Sequence, residues 1–369
     1  MTKSVSVLLA LFVVGPVLPL RVRQAPPPQI QNGRVETRQA TSPDREIASL
    51  GVPDPVWVYW RVPMMDGERG PCSTWYYGDR EPSIRGELLD SGISGTVMSN
   101  NRPQITPPTG PVPLEAGTGM LVMVRVVDGR AERLRTLGDD CPIDANGRTV
   151  YALNGVSAAE SLRFLDTFTR MDSDRLTLGA RRNLAQSALT AIRRHRDPAA
   201  DTILDRIATS DTDPDLRQTA ANALATSRGA RGFATVKRLV DTEKNPDRRR
   251  SFVTSLGQTR EPGTVEALRA LLRDPDARIR SQAVFYFAQR GGTAVLPEVR
   301  KLMEAETDNS VKQQAVRGLA RLPMDDAIPL LIQLAKTTAD PVVRKESVSA
   351  LGSSRDSRAL AYLEEIIKR

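Results

Sequence analysis

The chain has 369 residues, a formal net charge of +8, 40% hydrophobic and 26% charged residues, and only 4% aromatic residues. That apolar share suits a globular protein of two or three domains or one long repeat array, with a core of Leu, Val, Ile and Ala rather than rings. A single histidine, His195, and two cysteines, Cys72 and Cys141, exclude a histidine-based zinc site and a four-thiolate site, so no metal or other cofactor is expected.

Residues 1–22 combine a short basic start with an apolar run from Val5 to Leu20, broken by Gly15-Pro16. This pattern predicts an export signal, or an uncleaved anchor, since Val17-Leu18-Pro19-Leu20 departs from the small-x-small cleavage pattern. The expected location is therefore periplasmic or extracellular, with no membrane span beyond this segment. Residues 23–46, rich in Pro, Gln, Arg and Thr, read as a disordered linker. In an exported chain the even pair Cys72 and Cys141 is expected to form a disulfide.

Residues 47–175 read as a small β-rich module with a closing helix. Pro55 to Val62 is dense in β-branched and aromatic residues and has the length of one strand. The runs Met120–Val127 and Arg130–Leu137 flank Asp128-Gly129, a dipeptide suited to a two-residue hairpin turn. Thr149 to Leu153 follows the Asn146-Gly147 turn as another strand. Ser157-Ala158-Ala159-Glu160 is then a capping box in front of Leu162, Leu165 and Phe168 at helical spacing. Trp57, Trp60 and Trp75 cluster in this module; they are read as core bulk, with an exposed aromatic recognition patch as the alternative.

From residue 176 onward the chain repeats. The apolar anchors Leu224, Leu256, Phe287, Leu319 and Leu351 are separated by 32, 31, 32 and 32 residues, and one further step back reaches Ile192. Between them Leu204, Val236, Leu268, Val299, Leu331 and Leu363 keep the same offset inside a second helical pattern, which predicts six units of two helices each. Asp213, Asn245, Asp276, Asp308 and Asp340 stand at first-helix starts, each followed four residues on by Arg217, Arg249, Arg280, Lys312 or Arg344. Because these recur in five of the six units they are assigned to helix capping and to contacts between units rather than to a site.

The pattern Asp-Pro-x-Val-Arg-x-x-Ala-x-x-Ala-Leu-Gly resembles HEAT repeats, in particular the short phycobilisome-lyase-like class, over Leu176 to Arg369. The first unit departs from it at Arg181 and Ala185, and the third at Arg248 and Phe252. The hairpin, Cys141 and the capping-box helix in front of such an array resemble exported bacterial HEAT-repeat proteins. The predicted fold is thus mainly α: a carboxy-terminal α-solenoid of about six HEAT-like helical hairpins over residues 176–369, preceded by a small β-rich α+β module. The resemblance implies a binding scaffold, a regulatory subunit or a chromophore lyase without separating them.

Charge is uneven, with 33 Lys and Arg against 24 Asp and Glu from Thr177 onward. On the second helices Lys237, Arg238, Arg269, Arg300 and Lys301 form a basic stripe. If second helices line the concave face, as they do in proteins the array resembles, that stripe is a groove for an acidic protein partner; the alternative is an ordinary solvated helix face. Nucleic acid fits the charge but is opposed by export and by the lack of stacking aromatics along the stripe. An anionic envelope polymer, a membrane surface and lyase-type cofactor handling stay open as other readings. No catalytic residue is assigned, because His195 lies in a polar link between helices without a nucleophile in its sequence context.

Overall fold

The computed structural model describes residues 27–75, 84–90, 104–106, 118–170 and 178–368. The segment 1–22 read as an export signal lies outside the described residues.

The module opens with β1 (Ile30–Gln31), β2 (Arg34–Gln39) and α1 (Pro43–Ser49). This corrects the linker reading for 23–46, of which 23–26 lie outside the described residues. Although β2 is polar, its backbone pairs in parallel with β10 (Thr149–Asn154) in full register from Arg34 opposite Thr149 to Gln39 opposite Asn154. It is an edge strand, so its side chains need not be apolar: Val35 stays exposed, while hydrogen bonding to β10 holds the strand.

The strands that follow are β3 (Val56–Pro63), β4 (Thr74–Trp75), β5 (Ile84–Arg85), β6 (Glu87–Leu88), β7 (Gly119–Val127), β8 (Arg130–Gly138) and β9 (Ile143–Asp144). The main sheet runs β2-β10-β3-β7-β8, parallel on its β2 side and antiparallel from β3 to β8. The expected hairpin is present, and Asp128 and Gly129 both take positive φ, 47° and 69°, as the favoured two-residue turn requires. On one face Val58, Trp60, Val62, Met120, Val122 and Val124 pack under α2 (Ala158–Thr169), whose first turn is capped by Ser157 accepting from the Glu160 amide. The other face carries Trp57, Tyr59, Leu121 and Met123 against Ile143 and Ile30 of the small parallel sheet β1-β9-β6. Cys72 and Cys141 are joined by a disulfide across 69 residues at the edge of that second cluster.

Twelve helices follow in six hairpins. The first helices are α3 (Leu178–Arg194), α5 (Pro214–Ser227), α7 (Pro246–Gln258), α9 (Ala277–Gly291), α11 (Asn309–Leu319) and α13 (Pro341–Ser354). The second helices are α4 (Ala199–Ser210), α6 (Gly229–Thr242), α8 (Thr264–Leu271), α10 (Leu296–Ala305), α12 (Met324–Thr337) and α14 (Ser357–Ile367). Every anchor of the 32-residue register is buried except Leu363, which is half-buried. The five predicted caps all form: Asp213, Asn245, Asp276, Asp308 and Asp340 each accept a backbone amide from the first turn of the helix they start. The basic residues four positions on hold the preceding loop or the next unit, as in Arg217 to the Asp211 carbonyl (2.6 Å) and Lys312 to Asp340 (2.5 Å). That lysine holds the Asp340 carboxyl below its usual range, first through the hydrogen bond it donates.

The two helix rows are not equivalent. Consecutive first helices pack directly on one another from α3 to α13, whereas neighbouring second helices touch only sparsely. Small residues permit the close row: Ala220, Ala221, Ala283, Ala288 and Ala315 are buried there, Gly257 lies against the Tyr286 ring and Gly318 against the Phe285 carbonyl. A stack whose units are closer on one side bends toward that side, so the first helices form the inner, concave row and the second helices the outer one.

Two stability measurements check this account. Replacing Cys72 and Cys141 by alanine should lower stability to denaturant by about 4 kcal/mol in the chain-entropy picture. Gly257→Ala, whose Cβ meets the Tyr286 ring, should cost about 1–3 kcal/mol through overpacking of the inner row; an unchanged thermal midpoint would contradict the close approach.

Candidate functional site

Trp57 and Trp60 do not form a surface. Trp57 and Trp60 are 0% and 1% exposed, so the aromatic-patch alternative is corrected for both. Their indole N–H groups are satisfied inside, Trp57 by Asp90 at 3.1 Å and Trp60 by the Ser161 hydroxyl at 2.9 Å, and Phe164 meets the Trp60 ring edge-on at 5.2 Å. Trp75 falls on β4, where only the backbone is described.

The basic stripe is displaced from the place expected of it. Lys237, Arg238, Arg269, Arg300 and Lys301 all stand on second helices, which form the outer row, so the concave placement is corrected. Four of the five also have partners within the array. Lys237 pairs with Asp241 (2.7 Å), Arg238 with Asp205 of the preceding unit (2.6 Å), Arg269 with Glu266 and with Glu298 of the next unit (2.8 Å), and Arg300 donates to Gln333 of the next unit (2.6 Å). The bonds from Arg238 to Asp205, Arg269 to Glu298 and Arg300 to Gln333 bridge the wider gaps of the outer row. Being solvent-exposed, each contributes little to stability, yet the carboxylates paired with Lys237, Arg238 and Arg269 offset charge that a partner would otherwise meet.

The inner row presents a different surface. Among its exposed or half-buried positions are the amides and hydroxyls Gln186, Thr190, Gln218, Asn222, Thr254, Ser281, Gln282, Gln313 and Gln314. Part of this layer is already ordered, since Gln218 donates to Asn222 and to Ser255, and Ser255 donates to Asn222 at 2.7 Å. In the middle, Phe285 and Tyr286 form an edge-to-face pair at 4.9 Å and remain half-buried. Arg250 and Lys345 are exposed with no ion-pair partner among the described residues, and Arg317, paired with Glu346 at 2.7 Å, is still 51% exposed. The inner row thus joins aromatic surface, hydrogen-bonding amides and cationic heads within four adjacent units.

His195 sits at the junction of module and solenoid. Met64 at the end of β3 bridges to it, the Met65 amide donates to the Arg194 carbonyl and the Arg196 amide donates to the Pro63 carbonyl. Beneath it the guanidinium of Arg228, whose side chain is 0% exposed, pairs with Asp201 and donates to the carbonyls of His195 (2.5 Å) and Asp197 (3.2 Å). The His195 ring is fully buried, and neither nitrogen has a protein partner. Burial pushes its pKa down to about 4, with Asp197 opposing the shift and Arg228 adding to it. A sealed, neutral imidazole of this kind reaches no substrate; its place is in the joint. One continuous core runs from Ile47 through α2 and α3 to Tyr362, so module and solenoid are packed as one body rather than as two separate domains. Among the described residues no group of three or more His, Cys, Asp or Glu side chains is placed to hold a metal ion, and no helix is long and apolar enough to cross a membrane.

The family model for HEAT repeats matches residues 236–313 and 296–369. No curated protein matches the chain. Among solved structures, human deoxyhypusine hydroxylase in complex with glycerol is 17% identical over 56% of this chain and 91% of that one, with a TM-score of 0.31. The complex of CpcE and CpcF of phycocyanin lyase from Nostoc sp. is 17% identical over 56% of this chain and 81% of that one, with a TM-score of 0.30. Kap121p is 12% identical over 57% of this chain and 27% of that one, with a TM-score of 0.36.

Because the His195 pKa is lower in the folded than in the unfolded chain, protons bind the unfolded state more strongly between the two values. Its contribution is complete above about pH 6.5, is lost as pH falls to about 4, and amounts to at most ~3 kcal/mol. Chemical denaturation at pH 7 and at pH 4.5 should show this loss, and His195→Gln should flatten the difference; an equal slope in the variant would place the pH dependence elsewhere.

Proposed function

With residues 236–369 identified as HEAT repeats, in an array whose two-helix unit continues back to α3, we propose that the protein is a non-catalytic binding scaffold of the cell envelope. It holds an extended acidic segment of a protein partner along the concave row of first helices. The observation that carries this reading is the half-buried pair Phe285 and Tyr286 set among amides, with Arg250 and Arg317 on the two neighbouring units and Lys345 on the unit after.

Each component has a separate task. Amide side chains offer both donor and acceptor to an extended backbone, whose own N–H and C=O groups lack partners. The aromatic pair supplies apolar area at low entropy cost, and the cations add steering and selection for negative charge. Export is supported by the apolar amino-terminal run in the sequence and by the disulfide, a bond that persists in oxidising compartments. The non-catalytic reading is supported by His195, which is sealed inside the joint.

Crosslinking capture from an envelope extract tests the proposal on three forms of the protein. The native chain should capture a discrete acidic partner. Arg250→Glu/Phe285→Ala, with unchanged helical circular dichroism, should lose it by about tenfold or more, while the outer-row change Arg269→Glu/Arg300→Glu should keep it. Undiminished capture by the inner-row variant would refute the concave site. Uniform loss of capture from all three with rising salt would indicate an anionic polymer or membrane surface instead.

A further inference from the structure

The concave row runs into a pocket where the solenoid meets the sheet. The repeat register places Gln186 and Thr190 of α3 at the positions that Gln218 and Asn222 hold on α5, Arg250 and Thr254 on α7, and Ser281 and Phe285 on α9, each step being 31 or 32 residues. Helix α3 is thus the first station of the row. Beyond it the row gives way to the module, since α3 packs on β8, the edge strand of the main sheet. Between α3 and the β7–β8 hairpin lies a cavity of about 490 Å³, lined by Asn183, Gln186 and Thr190 from the helix and by Arg125, Glu132 and Arg133 from the strands. Its size suits a small ligand or the end of a chain rather than a folded segment.

The strand wall owes its charge to register. Arg125 and Arg133 stand directly opposite each other on β7 and β8, a pairing of like charges that costs free energy in a sheet. Arg125 is held by Glu132 and Asp90, and the neighbouring Arg135 by Glu87. Arg133 is half-buried, and burial together with the charges of Arg135 and Arg125 keeps its pKa below the usual arginine value. That depression persists although Asp90 and Glu87 act against it, so the wall gains from one more negative charge. Glu132, exposed on the same rim, narrows the choice of anion. A doubly charged phosphate would be repelled by it, whereas a peptide end brings one carboxylate and an adjacent N–H that Glu132 or the Gln186 amide oxygen accepts.

We propose that this pocket receives the carboxyl terminus of the segment bound along the concave row. The terminal carboxylate meets Arg133 and Arg125, and the last peptide groups hydrogen-bond to Asn183, Gln186 and Glu132. The inference rests on the concave-row reading and makes it specific: the acidic segment is the partner's tail, and it runs from α9 to α3 toward its carboxyl end. Three helix spacings of about 9 Å separate α3 from α9, and an extended chain crosses them in about eight residues. The side chain seated on Phe285 and Tyr286 therefore lies about eight residues before the terminus.

Retention of synthetic peptides on the immobilised full-length protein tests it. Two pools of about twelve residues, half Asp and Glu and otherwise randomised, differ only in whether the last carboxyl group is free or amidated. The native protein should retain the free-acid pool about tenfold better, because amidation removes a charge-assisted hydrogen-bonding pair. Arg133→Gln should bring the free acid down to the level of the amide. Gln186→Glu, at an exposed position, should lower the free acid more than the amide, and it carries the test where Arg133→Gln reduces helical circular dichroism. Phe285→Ala should lower both pools alike. Equal retention of the two pools by the native protein, with Phe285→Ala still lowering both, overturns the terminal pocket and leaves the concave reading standing. Retention of neither pool removes the concave reading and the pocket with it. A free-acid preference that survives both Arg133→Gln and Gln186→Glu also overturns the proposal, since the terminus is then held elsewhere.

Discussion

The close approach of consecutive first helices is the constraint on which the rest of the solenoid depends. Wherever two of them meet, one side supplies a residue without bulk: Gly257 under the Tyr286 ring, Gly318 under the Phe285 carbonyl, Ala283 and Ala315 in the buried seam. Second helices meet their own hairpin partners through Leu, Val and Met, and leave gaps toward the next unit. A row of small residues facing a row of large ones produces a bend, and the bend decides which side chains converge and which diverge. Phe285, Arg250 and Arg317 converge; Lys237, Arg269 and Arg300 diverge.

Polar groups follow the same division. On the inner side the repeating Asp and Asn caps and their basic partners are spent on helix ends and loop carbonyls. The hydroxyl and amide layer above them is partly bonded to itself and still offers donors and acceptors. On the outer side Arg238 and Arg269 reach across the gaps to acids of an adjacent unit and Arg300 to an amide of the next, while Lys237 pairs with an acid of its own helix. The module closes the other end of the stack, with α3 packed on both α2 and strand β8, and with buried Arg228 gathering the carbonyls around the Met64–His195 bridge.

Much of this architecture is legible in the amino-acid sequence because it is local or periodic. The 32-residue register, the caps, the Asp128-Gly129 hairpin and the Ser157 capping box each rest on residues within a few positions of one another or on a strict repeat. The disulfide follows from an even cysteine count in a chain read as exported. Strand β2 escaped notice because Arg34 to Gln39 carries no apolar alternation; its place is specified by pairing with β10, more than a hundred residues away.

The sequence by itself determined the fold of residues 178–368, since a helix period nested in a fixed repeat admits little but a stack of hairpins. Only the tertiary structure decided which helix row faces inward. The one-dimensional pattern marks both rows as amphipathic, and the direction of bending depends on how closely backbones approach across units, a relation between residues about 30 positions apart. The same holds for Trp57 and Trp60, whose composition suits a binding surface or a core equally well, and which the two packed faces of the sheet place inside. It holds as well for His195, which a charged local sequence marks as exposed and which the docking of β3 against the first interhelical link buries.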